Sequence, residues 1–152
     1  MIGRSIAIYE QFGKVAKEFD FNWLKEKENV PVKFIQVYFQ NEPHIRIGEM
    51  YHKRLLFKFL EEINAVPHLT RITSFGREIP LEKGSCYEMV GAGKIRVVGN
   101  NLNFWKSSQD YGSIIRGTNR KHLESFFGEN NVFEKNFDDH PFFIVNYEGK
   151  LK

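Results

Sequence analysis

The sequence predicts an α/β protein of the α+β type, with a single mixed β-sheet and helices packed on it. The chain has 152 residues, of which 41% are hydrophobic and 15% aromatic, enough for the core of one domain. Runs with strand character are interspersed with three helical patterns of apolar residues. Two runs rich in β-branched and aromatic residues, 97–98 and 102–105, flank a turn at Gly99-Asn100-Asn101 and predict a hairpin. We therefore predict one domain over residues 1–152.

Residues 1–19 predict an N-terminal helical extension. Four apolar side chains recur there at helical spacing: Ile8, Phe12, Val15 and Phe19. Ser5 precedes them and belongs to a residue type that caps helix starts. Gly13 weakens the pattern, and an edge strand between Lys14 and Phe21 is the alternative.

The next predicted elements are a central strand and a helix. The run from Val30 to Phe39 is apolar and rich in β-branched residues, as in strands that are buried on both faces. Gln40 to Gly48 contains a proline and predicts a polar loop. Beyond it, the apolar residues of one helix face are Tyr51, Leu55, Leu56, Phe59, Leu60 and Ile63. His52 begins this helix and lies in line with its apolar face.

The second half of the chain predicts an insertion, a helix and further strands. The insertion extends from Val66 to Gly84 and contains a candidate strand between His68 and Phe75. After the hairpin, the apolar pattern predicts a short helix from Asn119 to Phe127. Two strands follow, at Val132 to Phe137 and Phe142 to Tyr147.

Composition narrows the classes of function. Lys and Arg number 22 against 19 Asp and Glu, so the net charge of +3 is mild and does not favour nucleic acid as a partner. A basic cluster at 116–122 is better explained by a solvated helix face. No apolar run approaches the ~18 residues that a membrane-spanning helix needs. With one cysteine there is no internal disulfide, so we expect a cytoplasmic or mitochondrial protein without a transmembrane segment.

Metal and cofactor chemistry is not predicted. The five histidines and Cys86 show no metal-ligand spacing. Ser107 and Ser108 lack the glycine-flanked turn of a serine hydrolase. The sequence therefore predicts no metal and no cofactor.

Three features are candidates for anion chemistry. Lys33 stands inside an apolar strand, where such a lysine usually extends to the sheet edge. His52 would meet a phosphate at the N-terminus of its helix, where the ring can attack or transfer a proton, although packing with one hydrogen bond is the commoner role. Gly91 and Gly93 beside Lys94 would expose N–H groups to an anion, and a glycine bulge at a strand end is the alternative.

Four short stretches occur in a fixed order along the chain: Val32-Lys33-Phe34-Ile35-Gln36-Val37, then Met50-Tyr51-His52, then Cys86 with Gly91-Ala92-Gly93-Lys94-Ile95, then Ser108-Gln109-Asp110-Tyr111-Gly112. This ordered set resembles the janus/ocnus family, whose enzymatic members are phosphohistidine phosphatases. The matches correspond to a central strand with its lysine, a Tyr-His pair that opens a helix, a cysteine strand that runs into a glycine turn, and a Ser-x-x-Tyr-Gly phosphate loop. The resemblance covers roughly residues 19–137.

The resemblance implies a role for each matched residue. His52 would be the catalytic nucleophile or general base, and Lys33 would assist it. Lys94, Ser108 and Gly93 would bind the phosphate together with main-chain N–H groups near His52. The first hypothesis is therefore a metal-independent phosphohistidine phosphatase that acts on a phosphohistidine protein.

Three positions depart from the family's pattern. Lys94 stands where the family has arginine, Lys106 replaces a glycine, and Asp110 brings a carboxylate into the phosphate loop. They support the alternative hypothesis, a non-catalytic janus-like subunit of a larger assembly such as a mitochondrial complex.

Overall fold

An eight-stranded mixed sheet organises the protein. The computed structural model describes residues 5–13, 15–27, 30–65, 70–72, 76, 78–80, 83–84, 86–105, 117–137 and 140–151. The strands of this sheet are β1 (Ser5–Tyr9), β2 (Lys17–Glu18), β3 (Lys33–Phe39), β4 (Glu42–Gly48), β7 (Tyr87–Val98), β8 (Asn101–Trp105), β9 (Val132–Phe137) and β10 (His140–Asn146), and β5 (Thr70–Ile72) and β6 (Glu78–Pro80) form a separate pair. The strand order is β2-β1-β4-β3-β7-β8-β10-β9, and β1 and β4 are its parallel neighbours.

Helices cover both faces of the sheet. They are α1 (Phe21–Lys25), α2 (His52–Glu62) and α3 (Gly117–Phe127). On what we call the α2 face, α2 packs on a core that includes Ile35, Val37 and Ala92. On the opposite face, α1 and α3 pack on a core that includes Phe34, Ile95 and Phe104. Because β3 is covered on both faces, nearly all of its side chains are buried, as its apolar run predicted. The predicted mixed sheet with helices packed on it is confirmed.

No helix within the described part of the chain is long and apolar enough to cross a membrane.

The N-terminal segment is a strand, and the predicted helix is wrong. β1 pairs with β4 from Ser5 to Tyr9, and four consecutive residues from Ile6 are buried. Two members of the supposed helical stripe, Phe12 and Val15, are 91% and 81% exposed. Ile8, a third member, is fully buried within β1, so the four residues do not form one buried helix face, and pairing with β4 outweighed the pattern. The alternative edge strand was nearer the structure, because β2 pairs antiparallel with β1.

The predicted polar loop at 40–48 is a tight turn followed by β4. Gln40 and Asn41 have φ angles of 53° and 62°, the left-handed conformation that suits a two-residue hairpin turn. Pro43 lies just before the stretch of β4 that pairs with β1, near the start of the strand, where a missing N–H is tolerated. The proline therefore marks the start of a strand and not a loop.

The other predicted elements are confirmed where the structure describes them. The hairpin of β7 and β8 turns at Gly99, whose φ is 62°, and α2 begins at His52. The helix at α3 and the strands β9 and β10 lie close to their predicted bounds. β5 and β6 both fall inside the predicted insertion, about half of which lies outside the described residues.

His122 is a buried histidine on α3. Its ring centroid lies 4.1 Å from that of Tyr38, and neither ring nitrogen has a hydrogen-bond partner. Burial lowers the pKa of His122 from 6.5 to about 4. Between about pH 6.5 and about pH 4, the ring is therefore neutral in the native state, whereas in the unfolded chain it takes up a proton.

Replacing His122 with Phe should weaken the acid sensitivity of folding. As pH falls from about 6.5 to about 4, the unfolded chain binds a proton that the native ring refuses, so the free energy of unfolding decreases, by roughly 2–3 kcal/mol for this residue at most. His122→Phe removes that loss and two unpaired polar atoms. Denaturant unfolding at pH 7.5, 6 and 5 measures the effect. An unchanged pH slope in the variant would contradict the assignment.

Candidate functional site

His52 is the first residue of α2 and lies against β7. Its Nε2 atom is 2.8 Å from the carbonyl oxygen of Gly93, and the residue is 4% exposed. A carbonyl oxygen only accepts hydrogen bonds, so Nε2 donates, and in the neutral form of the ring the lone pair is therefore on Nδ1. This tautomer makes Nδ1 the atom that can attack phosphorus or accept a proton.

Two lysines stand side by side next to this histidine. Lys33 on β3 and Lys94 on β7 are direct cross-strand partners. They lie on the α2 face, since Ile35 and Ala92, two residues away along each strand, belong to the core beneath α2. Like charges placed directly opposite each other repel, and an anionic group between the two ammonium groups would relieve that repulsion.

The start of α2 adds a positive dipole end to the same place. Tyr51 is the N-cap and makes no side-chain capping bond, and its carbonyl accepts from the amides of Arg54 and Leu55. The ammonium group of Lys33 lies 4.8 Å from the centroid of the Tyr51 ring, so this lysine is held at the helix start. The helix dipole and the two lysines together favour an anion at this point.

The structure thus brings four of the five predicted site residues together: His52, Lys33, Lys94 and Gly93. The fifth, Ser108, lies outside the described residues, as do Lys106 and Asp110. Cys86 is exposed just before β7.

The predicted glycine turn is wrong, because Gly91 and Gly93 continue β7. Gln36 pairs with Gly91 and Val37 with Met89, so Val90 is the extra residue of a β-bulge. The alternative, a glycine bulge at a strand end, is nearer the structure, although the bulged residue is Val90 and it lies inside β7. At Gly93, the carbonyl orients the histidine.

A buried polar network that the sequence did not predict holds the other end of α2. Arg46 on β4, 1% exposed, donates from Nε and Nη2 to the two carboxylate oxygens of Glu62 at 3.0 and 2.6 Å. Tyr9 donates to the same carboxylate at 2.5 Å, and Arg46 also donates to the Ser5 hydroxyl at 2.9 Å. Burial raises the pKa of Glu62, but bonding to the Arg46 guanidinium outweighs it, so the net shift is downward. The carboxylate therefore stays charged beneath the helix.

His44 extends this network. Its Nδ1 atom lies 3.0 Å from the Ser5 hydroxyl oxygen, and its buried Nε2 atom has no partner. Burial first, and then the Arg46 charge, lowers the pKa of His44 to about 4. The alternation of polar and apolar residues from His44 to Ile47 is the signal that could have revealed a strand carrying these groups.

Gly48 permits the close approach of α2 to the sheet. A Cβ atom there would lie 2.9 Å from the Tyr9 carbonyl oxygen and 3.1 Å from Cδ2 of Leu55 in the first turn of α2. A larger residue would push this turn, and His52 with it, away from β7.

A separate open hollow of about 760 Å³ lies beside α1 and is lined in part by Lys17, Asp20 and Tyr147. It contains none of the residues gathered around His52. Lys17 and Asp20 already form an ion pair at 3.4 Å there, so we assign no chemistry to this hollow.

Neither a family model, nor a characterised protein, nor a solved structure matches this chain. Within the described ranges, no three His, Cys, Asp or Glu side chains are placed to hold a metal ion. A functional assignment therefore depends on the geometry and chemistry around His52.

Replacing Glu62 with Gln should destabilise the protein because it leaves the buried Arg46 charge without its counterion. We expect a loss of about 2–4 kcal/mol, below the full value for a buried pair since the Glu62 side chain is 23% exposed. The matched control is Glu61→Gln at the neighbouring exposed position, which should change stability by less than about 0.5 kcal/mol. Chemical denaturation measures both. Equal stability of the two variants would show that the ion pair does not anchor α2.

Proposed function

We propose that this protein is a metal-independent phosphohistidine phosphatase of the janus type, which removes phosphate from a phosphohistidine side chain of another protein. One observation carries the proposal. A histidine whose tautomer is set by the Gly93 carbonyl sits at a helix N-terminus beside two lysines on the same sheet face. These groups supply a nucleophile or base and positive charge for a phosphoryl group.

The chemical step starts at Nδ1 of His52. Its lone pair attacks phosphorus while the P–N bond to the substrate imidazole breaks, and that imidazole takes a proton from solvent and leaves as the neutral ring. Water then attacks the phosphoryl group on His52 and releases inorganic phosphate. In the general-base version, Nδ1 instead takes a proton from a water molecule that attacks phosphorus directly.

The surrounding groups prepare the ring and the phosphate. The bond to the Gly93 carbonyl keeps Nε2 protonated and the ring oriented. Lys33 and Lys94 neutralise the phosphoryl oxygens as charge develops on them, with the N-terminus of α2 adding its dipole. Inorganic phosphate should therefore be a product inhibitor that binds at these lysines.

His52→Ala should abolish the release of phosphate from a phosphohistidine peptide. The substitution removes the proposed nucleophile or base, and general acid–base catalysis alone is worth about 10²–10⁴ in rate. His122→Phe is the matched control, because it changes another buried histidine that lies on α3. The control should keep its turnover. Circular dichroism of both variants separates loss of chemistry from loss of fold.

The alternative function, a non-catalytic subunit of a larger assembly, is favoured by one observation. His52 is only 4% exposed, which restricts the approach of a protein-bound phosphoryl group to Nδ1. If the purified protein releases no phosphate and His52→Ala leaves phosphate affinity unchanged, the site is vestigial. The subunit hypothesis then replaces the enzyme hypothesis.

Lys94→Met should weaken phosphate binding without destabilising the fold. A charge-assisted hydrogen bond at a partly exposed lysine is worth about 1.5 kcal/mol, so we expect roughly a tenfold rise in the Kd for inorganic phosphate. Removing the repulsion with Lys33 should keep the melting temperature level or raise it. Lys121→Met, at an exposed position on α3, is the control for lost charge.

Calorimetric titration with phosphate and thermal melts at low salt measure the two effects of Lys94→Met. Lys94→Arg should bind phosphate at least as well as Lys94, since a guanidinium can bind two oxygens at once. A Lys94→Met protein that melts earlier and binds phosphate normally would show that this lysine is structural.

A further inference from the structure

One half of the α2 face has no described helix on it. α2 crosses β1, β4, β3 and the first part of β7, while α1 and α3 pack on the opposite face. We call the remaining area the open half-face: the α2-side residues of β7 after Ala92 and those of β8, β10 and β9. Two of its apolar side chains, Val98 and Phe133, are 48% and 51% exposed.

Strand register arranges the open half-face in rows. The α3-side core holds Ile95, Phe104 and Phe143, so the alternate residues of these strands point to the α2 side. The first row across the strands is Lys94, Trp105, Phe142 and Lys135, and the next row is Arg96, Asn103, Ile144 and Phe133. Aromatic rings thus lie between cations, across about 14 Å of sheet from β7 to β9.

The charged side chains described on this surface have one sign. Lys94, Arg96 and Lys135 are its cations, and none of its described side chains is a carboxylate. Glu134, next to Lys135, points to the other side of β9, where Arg120 of α3 lies 3.7 Å from it. A surface with several cations and no local carboxylate attracts an anionic partner, although the whole chain has a net charge of only +3.

The aromatic groups specify the kind of anion. The guanidinium of Arg96 lies 4.7 Å from the centroid of the Trp105 ring, which forms a flat cationic stack on the sheet. Phe133 adds an exposed ring in the neighbouring row. An acidic peptide would satisfy the cations but leave the rings unused, whereas a single-stranded nucleic acid offers both phosphates and flat bases.

We propose that the open half-face binds single-stranded nucleic acid. Bases stack on Phe142, on Phe133 and on the Arg96 guanidinium that lies over Trp105, and the phosphates lie against Lys94, Lys135 and the edge of the same guanidinium. A β-sheet that carries exposed aromatic rings is a suitable platform for such stacking. The Asn103 amide, in the middle of the surface, is placed to form hydrogen bonds with base edges.

Fluorescence anisotropy of a labelled single-stranded RNA of mixed sequence tests the proposal on the full chain. We expect saturable binding at about 50 mM salt that weakens at least tenfold by about 200 mM, because binding to phosphates releases counterions. A duplex of the same sequence should bind at least about fivefold more weakly, since its bases are not free to stack.

Two double variants of equal net charge distinguish binding at the open half-face from general electrostatic attraction to the protein. Arg96→Gln with Lys135→Gln should raise the Kd for the RNA at least about fivefold. The matched control is Lys25→Gln with Lys121→Gln, which removes the same charge from exposed positions on α1 and α3 and should change the Kd less than about twofold. Phe133→Ser should raise the Kd at least about fivefold without any change in charge.

Several outcomes would overturn the proposal. These are no saturable binding at low salt, an equal loss in the two double variants, or a Phe133→Ser protein that binds RNA normally. Polyglutamate that displaces the RNA at an equal charge concentration would instead identify an acidic protein as the partner. The outcome is independent of the phosphatase proposal, because Arg96, Lys135 and Phe133 are outside the His52 site, and His52→Ala should bind the RNA like the unaltered chain.

Discussion

The ion pair between Arg46 and Glu62 is the constraint on which the position of α2 depends. Arg46 is almost completely buried beneath the helix, and a charge in that environment must be paired and hydrogen-bonded. Glu62 supplies the pair, which holds the C-terminal end of α2 over β4 and, through Tyr9, over β1. The bond from His52 to Gly93 holds the other end over β7. These two contacts fix the direction in which α2 crosses the sheet. They place His52, its first residue, on the same side of the sheet as Lys33 and Lys94.

The candidate site lies where the covered and open parts of the α2 face meet. Lys33 and Lys94 are neighbours in one row across the sheet, and that row continues through Trp105 into the open half-face. The start of α2 borders one side of these lysines, and half-buried Trp105 and exposed Arg96 border the other. A single feature of the topology, a helix that covers only half of a wide sheet, thus places the residues around His52 and a larger cationic surface side by side.

The sequence predicted elements well where burial enforced one pattern. The two-sided burial of β3 leaves a continuous apolar run and the one-sided burial of α2 leaves a helical period, and both elements were predicted close to their observed bounds. The predicted N-terminal helix was wrong because Phe12 and Val15 have helical spacing but are exposed in the connection after β1. At 40–48, Pro43 predicted a loop, whereas Gln40 and Asn41 form a left-handed turn that leads directly into β4.

The sequence by itself determined the type of sheet, the helix that carries His52 and the residue types that suit a phosphate. The tertiary structure alone decided which of them meet, because strand register and helix placement depend on contacts far apart along the chain. It placed Lys33 opposite Lys94, directed Nε2 of His52 to Gly93, and buried Arg46 under α2. It also gathered cations from β7 and β9 on one face. The mild net charge of the chain gave no indication of this cationic surface, because net charge is summed over the whole molecule, whereas a partner contacts only one side of it.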